Sequence, residues 1–393
     1  MRILMLNHNV RGRSTFFRCF HFGRCLRKRG HEVTLLTISP RARWNFREEL
    51  VAGVRIVETP DLTFGIARSG WCPWDTWQRL CWLRQDNGYD VVHGFDCRPV
   101  VVYPALKLQR QGVPYVCDWA DWWGRGGVIA ERNNPFLKYL FGPIEVFYEE
   151  HFRDRADWLT VISRALEQRA VRSLHLPPER ITRLPSGADV EHIRPLPQRE
   201  AREALGFPPT AKIVEFVGYV HYDLLFVIES FALLRRMKPE VILLLVGRKS
   251  KRARRLARQL GVADGVVETG PQPYPQIPLY LACADVLLLP FVCKIANVGR
   301  WPNKVGDYMA AGRPIVTNPT GEMKYLFEEE EIGLLAEDTP EDFAVAIAKL
   351  LDDPERAEAY GRRARQVAED KYAWERLTPQ LEAIYEWVIK GRN

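Results

Sequence analysis

Short apolar runs alternate with longer amphipathic segments along most of the chain, and this alternation restricts the possible folds more than any other feature. It is typical of parallel sheets whose strands are joined by crossover helices. The predicted strands are residues 2–6, 32–36, 54–58, 91–93, 115–118, 159–162, 212–217, 241–246, 266–268, 286–290 and 314–317. The predicted helices are residues 14–29, 225–237, 251–260, 274–282 and 304–311, followed by a helical tail at 340–351, 354–372 and 374–390.

The two series of strands are of similar length, so the chain is expected to form two doubly wound domains and not one large sheet. A chain of 393 residues also exceeds the ~250–300 residues beyond which single cores stop growing. Two prolines interrupt the pattern at 193–198 and place the boundary there. The predicted division is a first domain at 1–192, a second at 193–372 and a C-terminal helix at 373–393.

Positive charge is concentrated at the start of the chain. Residues 1–60 contain twelve Lys/Arg and four Asp/Glu, whereas the net charge of the whole chain is +7. The predicted helix at 14–29 interleaves this charge with Phe16, Phe17, Phe20 and Phe22. Such a helix suits an anionic membrane surface or an anionic acceptor. The alternative is an amphipathic helix whose Phe side faces the core. No recognition motif accompanies the basic segments, so nucleic acid is not expected as a partner.

Features that would place the chain across or outside a membrane are missing from the sequence. No apolar run reaches the ~18 residues of a membrane span, and the first residues look like a buried strand instead of a signal peptide. The eight cysteines contain no C-x-x-C pair and no zinc spacing, which predicts reduced thiols. We expect a cytoplasmic protein, with peripheral association at the inner face of a membrane if the basic helix is exposed.

The segment 301–316 carries the strongest chemical signal. A loop with Asn303 and Lys304 leads into a short helix that carries Asp307 and ends at Gly312, before an apolar strand. Unpaired amides and the helix dipole favour an anion at such a helix start. A lysine and a carboxylate one turn later suit a phosphorylated ligand with a ribose. The alternative is an ordinary helix with a glycine C-cap.

In the first half, polar residues follow the ends of predicted strands, where ligands bind in open α/β sheets. Gly12 and Arg13 lie in a loop at 7–15 that could hold a phosphate or a sugar. His93 ends the fourth strand. Asp118 and Asp121 follow the fifth strand, with Trp119 beside them, as in carbohydrate sites where hydroxyls meet carboxylates and sugar faces meet aromatic rings. For each of these residues a purely structural role is the alternative.

In the second half, Gly218 follows a strand and permits close backbone approach to a ligand, with its amide as a candidate diphosphate donor. Arg248 and Lys249 follow the next strand and could neutralise a diphosphate. The chain contains no D-x-D and no His/Asp/Glu cluster with metal spacing, so no metal or other cofactor is expected. The absence of G-x-G-x-x-G, G-x-S-x-G and P-loop motifs argues against the common dehydrogenases, hydrolases and P-loop proteins.

Five segments in order resemble the GT-B glycosyltransferases, specifically glycosyltransferase family 4. They are Arg27-Lys-Arg-Gly-His-Glu-Val33, Asp118-Trp-Ala-Asp-Trp-Trp123, Leu184-Pro-Ser-Gly-Ala-Asp189, Asp285-Val-Leu-Leu-Leu-Pro290 and Pro302-Asn-Lys-Val-Gly-Asp-Tyr-Met-Ala-Ala-Gly-Arg-Pro-Ile-Val316. The resemblance covers nearly the whole chain. It implies an α/β fold with two Rossmann-like domains facing a cleft and a C-terminal helix that crosses back to the first domain.

The resemblance also implies a function: sugar transfer from a nucleotide-diphosphate donor to a glycan, lipid-linked or other hydroxyl acceptor, with retention and without a metal. Donor binding then falls to Gly218, Tyr219, Arg248, Lys249, Asn303, Lys304 and Asp307. Asp307 stands at the ribose-side Glu of the family's E-x7-E motif, whereas Gly299 stands at its first Glu.

Tyr219 replaces an Arg that would face the diphosphate. Ala120 replaces a frequent His, which leaves Asp118 or Asp121 as the catalytic candidates. Gly12, Arg13, His93 and Trp119 are the acceptor-side candidates. Two alternatives are a nucleotide-sugar epimerase or sugar phosphorylase on the same fold, and a non-catalytic protein that binds a glycan or a partner.

Overall fold

The computed structural model of the chain describes residues 1–66, 69–131, 135–218 and 221–391. These residues form two compact units. The first comprises Met1–Pro185, Gly299–Trp301 and the segment from Leu377 onward. The second comprises Ser186–Val298 and Pro302–Arg376. Each unit is built on its own sheet, so the predicted α/β class with two doubly wound domains is confirmed.

The first unit contains a sheet with the strand order β3-β4-β2-β1-β5-β6-β7-β8, parallel except for the antiparallel pair β3 and β4. Its strands are β1 (Arg2–Val10), β2 (Glu32–Ile38), β3 (Arg47–Val51), β4 (Val54–Thr59), β5 (Val91–Phe95), β6 (Tyr115–Trp119), β7 (Trp158–Val161) and β8 (Ile181–Arg183). Its helices are α1 (Thr15–Lys28), α2 (Pro73–Gln85), α3 (Pro99–Gln109), α4 (Pro135–His151) and α5 (Arg164–Arg172).

The second unit contains a fully parallel sheet with the order β11-β10-β9-β12-β13-β14. Its strands are β9 (Ile213–Val217), β10 (Ile242–Val246), β11 (Val266–Gly270), β12 (Val286–Leu289), β13 (Ile315–Thr317) and β14 (Gly333–Leu335). Its helices are α6 (Gln198–Ala204), α7 (His221–Met237), α8 (Lys251–Gln259), α9 (Ile277–Cys283), α10 (Ile295–Val298), α11 (Asn303–Ala310), α12 (Glu322–Glu330), α13 (Pro340–Asp352) and α14 (Pro354–Val367). A π-helical turn at Ala368–Tyr372 leads to α15 (Trp374–Lys390).

Every predicted strand is present, but three strands were not predicted. β3 is an antiparallel edge strand whose Arg47, Glu48 and Glu49 are exposed, so it lacks the apolar run of a buried strand. β8 and β14 have only three residues each, too few to show a periodicity. Strand β1 also continues to Val10, where a loop was predicted from residue 7, because its end pairs again with β2 after an irregularity.

Helix α1 belongs to the core of the first unit. Phe16 and Phe22 are buried, and Arg18 is also buried at 2% exposure. The structure therefore supports the core-facing alternative for Phe16 and Phe22, while Phe17 and Phe20 are half-buried. Among the described residues, no helix combines the length and the apolarity needed to cross a bilayer. All eight cysteines are described, and none forms a disulfide.

The terminal helix α15 has the predicted bounds, and its residues from Leu377 onward cluster with the first unit. Within that unit, Glu382 accepts hydrogen bonds from Arg29 and lies 2.6 Å from His31 Nε2. The Tyr385 hydroxyl lies 2.7 Å from His93 Nδ1. Polar contacts therefore attach this helix both to the end of α1 and to the middle of the sheet.

Candidate active site

Helix α11 lies at the carboxyl ends of β9 and β12 in the second unit, and Tyr308 fixes it there. The Tyr308 hydroxyl accepts a hydrogen bond from Val217 N at 2.9 Å and donates to Leu288 O at 3.3 Å. Because the ring is buried, these two bonds hold α11 against the strand ends. The residues of α11 are therefore held where ligands bind in open parallel sheets.

Lys304, in the first turn of α11, extends across the end of β9. Its Nζ lies 4.0 Å from the centre of the Phe216 ring, and that nitrogen is shielded from solvent. A Cβ built on Gly218 would lie 3.5 Å from Lys304 Cε and Nζ. The ammonium group therefore lies directly beside the strand end, at van der Waals distance from position 218. A shielded cation beside a helix N-terminus is suited to an anionic ligand.

Gly218 has φ +113, which favours glycine, but its amide does not take the predicted role. Gly218 N donates to Val246 O at 2.7 Å, which extends the pairing of β9 with β10. The N–H is therefore consumed within the sheet, and the prediction that it binds a diphosphate is corrected. What requires a glycine at position 218 is its backbone conformation, whereas Gly247 must lack a side chain because a Cβ there would lie 2.5 Å from Gly218 O.

Asp307 is half-buried one turn beyond Lys304. Burial and, secondly, the carboxylate of Asp189 raise the pKa of Asp307 to about 7. The helix approaches the 186–189 segment closely because Gly306 faces Gly187, where a Cβ would meet the Gly187 carbonyl oxygen at 2.7 Å. A carboxyl group that is close to its titration point near neutrality can accept hydrogen bonds from hydroxyls of a ligand.

The other donor-side candidates are exposed or not described. Asn303 begins α11 and is exposed, while Arg248 and Lys249 are exposed in the loop after β10. Lys249 lies beside Gly270, where a Cβ would be 3.6 Å from its Cε. Tyr219 lies outside the described residues. The assignment of these residues to donor binding stays a prediction.

Sequence reasoning missed polar residues that flank α11 in the second unit. Asn297 is fully buried and its Nδ2 donates to Val292 O, while its Oδ1 has no hydrogen-bond partner among the residues that the structure describes. Gly321, with φ +53, opens α12 where its Cβ would be within 3 Å of the carbonyl oxygens of Asn297 and Val298. Gly321 could have been predicted from the sequence, because the Thr320-Gly321-Glu322 segment soon after the predicted strand at 314–317 is typical of a turn that begins a helix.

In the first unit, Asp118 is enclosed by an ion pair. Arg18 donates to it from Nη2 at 2.8 Å and from Nε at 3.1 Å, and the Thr160 hydroxyl donates at 2.6 Å. Both side chains of the pair are almost fully buried. Arg18 and Thr160 keep the pKa of Asp118 below its ordinary value although burial alone would raise it. A contact between this carboxylate and an acceptor would require the network to open, so the geometry supports a structural role.

His93 and Trp119 are also internal. Burial lowers the pKa of His93 to about 3, and the ring faces Tyr385 and Phe95. The Trp119 indole Nε1 donates to the Asp121 carbonyl oxygen at 2.9 Å, and Arg153 stacks on the ring at 4.0 Å. Trp119 has no exposed surface, so its ring supports the loop after β6 from the protein interior and is not available for stacking on a sugar.

Asp121, by contrast, lines a pocket of about 330 Å³ in the first unit together with His8, Asn9, Trp71 and other residues. The residue is half-buried, and burial raises the pKa of its carboxyl to about 6 although Arg300 opposes the shift. Of the two predicted catalytic carboxylates, only Asp121 faces a cavity in the part of the chain that the structure describes.

Gly12 and Arg13 lie in the short loop after β1, where both are exposed. Gly12, with φ +78, lines a separate pocket of about 680 Å³ beside Arg11, Glu49 and Glu58. Arg11 donates to Glu58 at 2.8 Å, and its Nη1 is 2.7 Å from a Glu49 oxygen. This pocket is distinct from that of Asp121, so the structure does not bring all acceptor-side candidates into one cavity.

Gly299 stands where the family's first Glu of the E-x7-E motif falls. This glycine clusters with the first unit, and a Cβ there would meet Trp122 Cβ at 2.6 Å. Its carbonyl oxygen accepts a hydrogen bond from Ser163 Oγ at 3.0 Å. The backbone at this position is therefore packed too closely on Trp122 for a side chain, and a Glu here would require one of the two segments to move.

In the described residues, no group of three or more His, Cys, Asp or Glu side chains is arranged to hold a metal ion. Polar side chains at strand ends form two separate sets, one in each unit. The second unit offers a shielded ammonium, a helix start and a carboxyl near neutrality. The first unit offers a cavity with aromatic walls and Asp121. These are the requirements for binding an anionic ligand and a hydroxylated ligand, respectively.

Comparisons with known proteins agree with this division. Residues 197–367 match the family "Glycosyl transferases group 1", and residues 18–187 match "Glycosyl transferase 4-like domain". The D-inositol 3-phosphate glycosyltransferase of Thermobispora bispora is 26% identical over 322 residues, 77% of this chain and 72% of that protein.

A second relative is the GDP-mannose-dependent alpha-(1-6)-phosphatidylinositol monomannoside mannosyltransferase of Mycolicibacterium smegmatis. It is 30% identical over 282 residues, which are 69% of this chain and 72% of that protein. Among solved structures, the sucrose-phosphate synthase of Thermosynechococcus elongatus superposes with a TM-score of 0.79 at 18% identity, over 99% of both chains. On these matches and the two-sheet architecture, the chain belongs to the GT-B glycosyltransferases of family 4, the group 1 glycosyl transferases, and is an enzyme of that class.

Proposed function

We propose that this glycosyltransferase moves a sugar from a nucleotide-diphosphate donor to a hydroxyl acceptor, with retention at the anomeric carbon and without a metal ion. The observation that carries the donor assignment is the position of Lys304, whose ammonium group is shielded above Phe216 at the start of α11. The GDP-mannose named for the mycobacterial relative supports a nucleotide sugar as the donor class.

In the proposed donor complex, Lys304 and the N-terminal amides of α11 contact the diphosphate. They stabilise the negative charge that grows on the leaving group as the glycosidic bond breaks. Asp307 accepts hydrogen bonds from the ribose hydroxyls. Arg248 and Lys249, which are exposed, add positive charge at the same end of the sheet.

For the transfer itself, we propose a front-side reaction. The acceptor oxygen forms its bond to the anomeric carbon on the face from which the diphosphate leaves, and a diphosphate oxygen takes the acceptor proton. The products are the glycosylated acceptor and the nucleoside diphosphate, so the protein needs neither a nucleophile nor a separate base. Its task is to orient the two substrates and to stabilise the leaving group.

A donor screen tests this assignment. The purified protein is heated with UDP-, GDP-, ADP- and dTDP-sugars, first in EDTA and then in magnesium. Because a ligand at 100 times its Kd adds about 2.7 kcal/mol, one nucleotide class should raise Tm by several degrees, equally with and without magnesium. A flat screen would contradict the donor assignment, and a shift that requires magnesium would contradict metal independence.

We also propose that the enzyme associates with a bilayer surface through helix α4, not through α1. Helix α4 exposes four apolar or aromatic side chains: Tyr139, Leu140, Ile144 and Phe147. Glu145 and Glu149 of this helix are buried, whereas Glu150 is 24% exposed and its charge is paired with Arg125 and Arg169. The inward side lines the Asp121 pocket, so a bilayer at the outer side would place lipid-linked acceptors beside that cavity.

Vesicle flotation tests the membrane proposal. The double variant Ile144→Asp/Phe147→Asp should lose association with phosphatidylglycerol-containing vesicles while its Tm stays near that of the wild type, because both side chains are already exposed. Leu50→Asp, at an exposed apolar site on β3, is the matched control and should still float. If the Ile144→Asp/Phe147→Asp variant floats as the Leu50→Asp control does, a bilayer does not bind this surface. The same conclusion follows if neither the wild type nor the control floats.

A further inference from the structure

The pocket of about 330 Å³ in the first unit lies at the carboxyl ends of β1 and β6. Its volume matches the lower end of small-molecule sites and accommodates one sugar-sized ring. His8 and Asn9 contribute from the end of β1, and Asp121 and Trp123 from the loop after β6. The other lining residues are Ser14, Ile66, Ser69, Trp71, Arg98 and Glu145. All of these residues belong to one unit, so the cavity is a property of that unit alone.

We infer that this pocket takes the acceptor as an unphosphorylated sugar or polyol ring. The inference rests on the proposed function, since it assigns a substrate class to the acceptor side of the same enzyme. The observation behind it is the composition of the cavity: indole walls and carboxyl groups, with a single guanidinium group that is already paired.

The walls suit the apolar face of a sugar. Trp71 and Trp123 both line the cavity, and Trp71 is held edge-on against Tyr148 with ring centres 5.0 Å apart. Trp123 is fixed from its backbone, because its N–H donates to the buried Glu149 carboxylate at 2.9 Å. Rigid indole rings beside polar side chains provide both a surface for C–H groups and partners for hydroxyls.

The charge in the pocket disfavours a phosphate. Arg98 is the only Lys or Arg that lines it among the described residues, and its Nε donates to Asp96 at 3.1 Å while Nη1 donates to Ser69 O at 2.6 Å. Asp96 stays ionised, because His8, Arg98 and Arg153 hold its pKa at about 2 against the effect of burial. The charge of Arg98 is therefore matched inside the protein and is not left for a ligand.

The carboxyl groups of the pocket also disfavour a phosphate. Asp121 and Glu145 both line the cavity, and burial raises the pKa of Asp121 to about 6, which shows that this environment disfavours a negative charge even on the protein's own group. A phosphate dianion in the same place would meet the same burial and the same carboxylates. Hydroxyl groups would instead find hydrogen-bond acceptors. The Thermobispora relative is named for an inositol 3-phosphate, and the pocket of this chain suits the ring without the phosphate.

The test compares pairs of compounds that differ only in a phosphate: myo-inositol with myo-inositol 3-phosphate, and glucose with glucose 6-phosphate. Binding to the full-length protein is measured by saturation-transfer NMR, and transfer is measured with the donor found in the thermal screen. We expect the unphosphorylated member of at least one pair to bind at least ten-fold more tightly and to be the better acceptor. Tighter binding of the phosphorylated members, or binding of no ring at millimolar concentration, overturns the inference.

Asp121→Asn tests the charge argument directly, because it removes the carboxylate charge and leaves the size of the side chain nearly unchanged. The variant should improve binding of the phosphorylated members by several-fold, whereas Asp154→Asn, at an exposed carboxylate, should leave the ratio within each pair unchanged. An unchanged ratio in Asp121→Asn contradicts the charge argument. Donor-induced stabilisation is measured separately, so loss of the acceptor preference with donor binding intact refutes this inference and leaves the proposed function standing.

Discussion

Arg18 and Asp118 form a bidentate ion pair across one hundred residues of sequence, with Nη2–Oδ1 and Nε–Oδ2 distances of 2.8 Å and 3.1 Å. The same guanidinium group donates to the carbonyl oxygens of Leu184 and Pro185. Arg18 thus connects α1, the end of β6 and the last segment of the first unit before the chain enters the second. A residue in the segment that was considered for membrane binding is a central structural contact of the domain.

Truncating Arg18 should strongly destabilise the folded protein and not merely inactivate it. Arg18→Ala leaves Asp118 buried without its charge partner, which typically costs about 3–5 kcal/mol. Urea unfolding followed by far-UV circular dichroism should show a much lower midpoint. Arg13→Ala, at an exposed arginine of the preceding loop, is the control and should change the free energy of unfolding by less than about 0.5 kcal/mol. Equal stability of the two variants would show that the ion pair contributes little.

The sequence predicted the fold well because the apolar runs are local signals. All the predicted strands exist, and the tail helices begin and end close to the predicted residues, since their periodicity and prolines lie within a single segment. The environment of Asp118, by contrast, depends on contacts that are distant in sequence. Its partner Arg18 is distant in sequence, and only the tertiary structure reveals that the carboxylate is enclosed. The Gly218 amide is a similar case, because its pairing with Val246 depends on sheet register.

Lys304 should matter for turnover far more than for folding. Lys304→Ala removes the shielded cation that is proposed to stabilise the leaving diphosphate, and transfer should fall by about 10²–10³-fold while stability changes by about 1 kcal/mol or less. Lys304→Arg should recover part of the rate. The rate of transfer at saturating donor is the measurement, and Lys251→Ala, at an exposed lysine of α8, is the control. Wild-type turnover in Lys304→Ala would remove the basis of the donor assignment.

Asp307 should make donor binding depend on pH near neutrality. Its pKa is raised to about 7, so the carboxyl is protonated below that pH and becomes a full acceptor for ribose hydroxyls above it. Donor affinity should therefore increase between pH 6 and pH 8, and Asp307→Asn should flatten the profile. Calorimetric titration with the donor at several pH values measures this. A profile that is the same in both proteins would assign the titration to another group.

The same group makes a separate contribution to stability. The unfolded chain loses this proton near pH 4, whereas the folded chain keeps it up to about pH 7, so the folded state binds more protons between these values. The contribution of Asp307 therefore favours folding below pH 4 and is lost progressively as the pH rises towards 7. Comparing the unfolding free energies of the wild type and Asp307→Asn across this range should show a steeper decline for the wild type.

Adding a side chain at position 299 should be harmful, even the Glu that the E-x7-E motif would supply. A Cβ at Gly299 would lie 2.6 Å from Trp122 Cβ, so either the 299–301 segment or the loop after β6 has to move. Overpacking of this kind costs about 1–3 kcal/mol, and Gly299→Ala alone should lower the free energy of unfolding by that amount. Gly299→Glu should be at least as unstable and should show no gain in transfer. Because the crowded atom is a Cβ, Trp122→Gly should relieve the clash in the double variant, whereas Trp122→Ala should not. Full stability of Gly299→Ala, or equal rescue by both changes at Trp122, would show that this contact does not determine the residue at position 299.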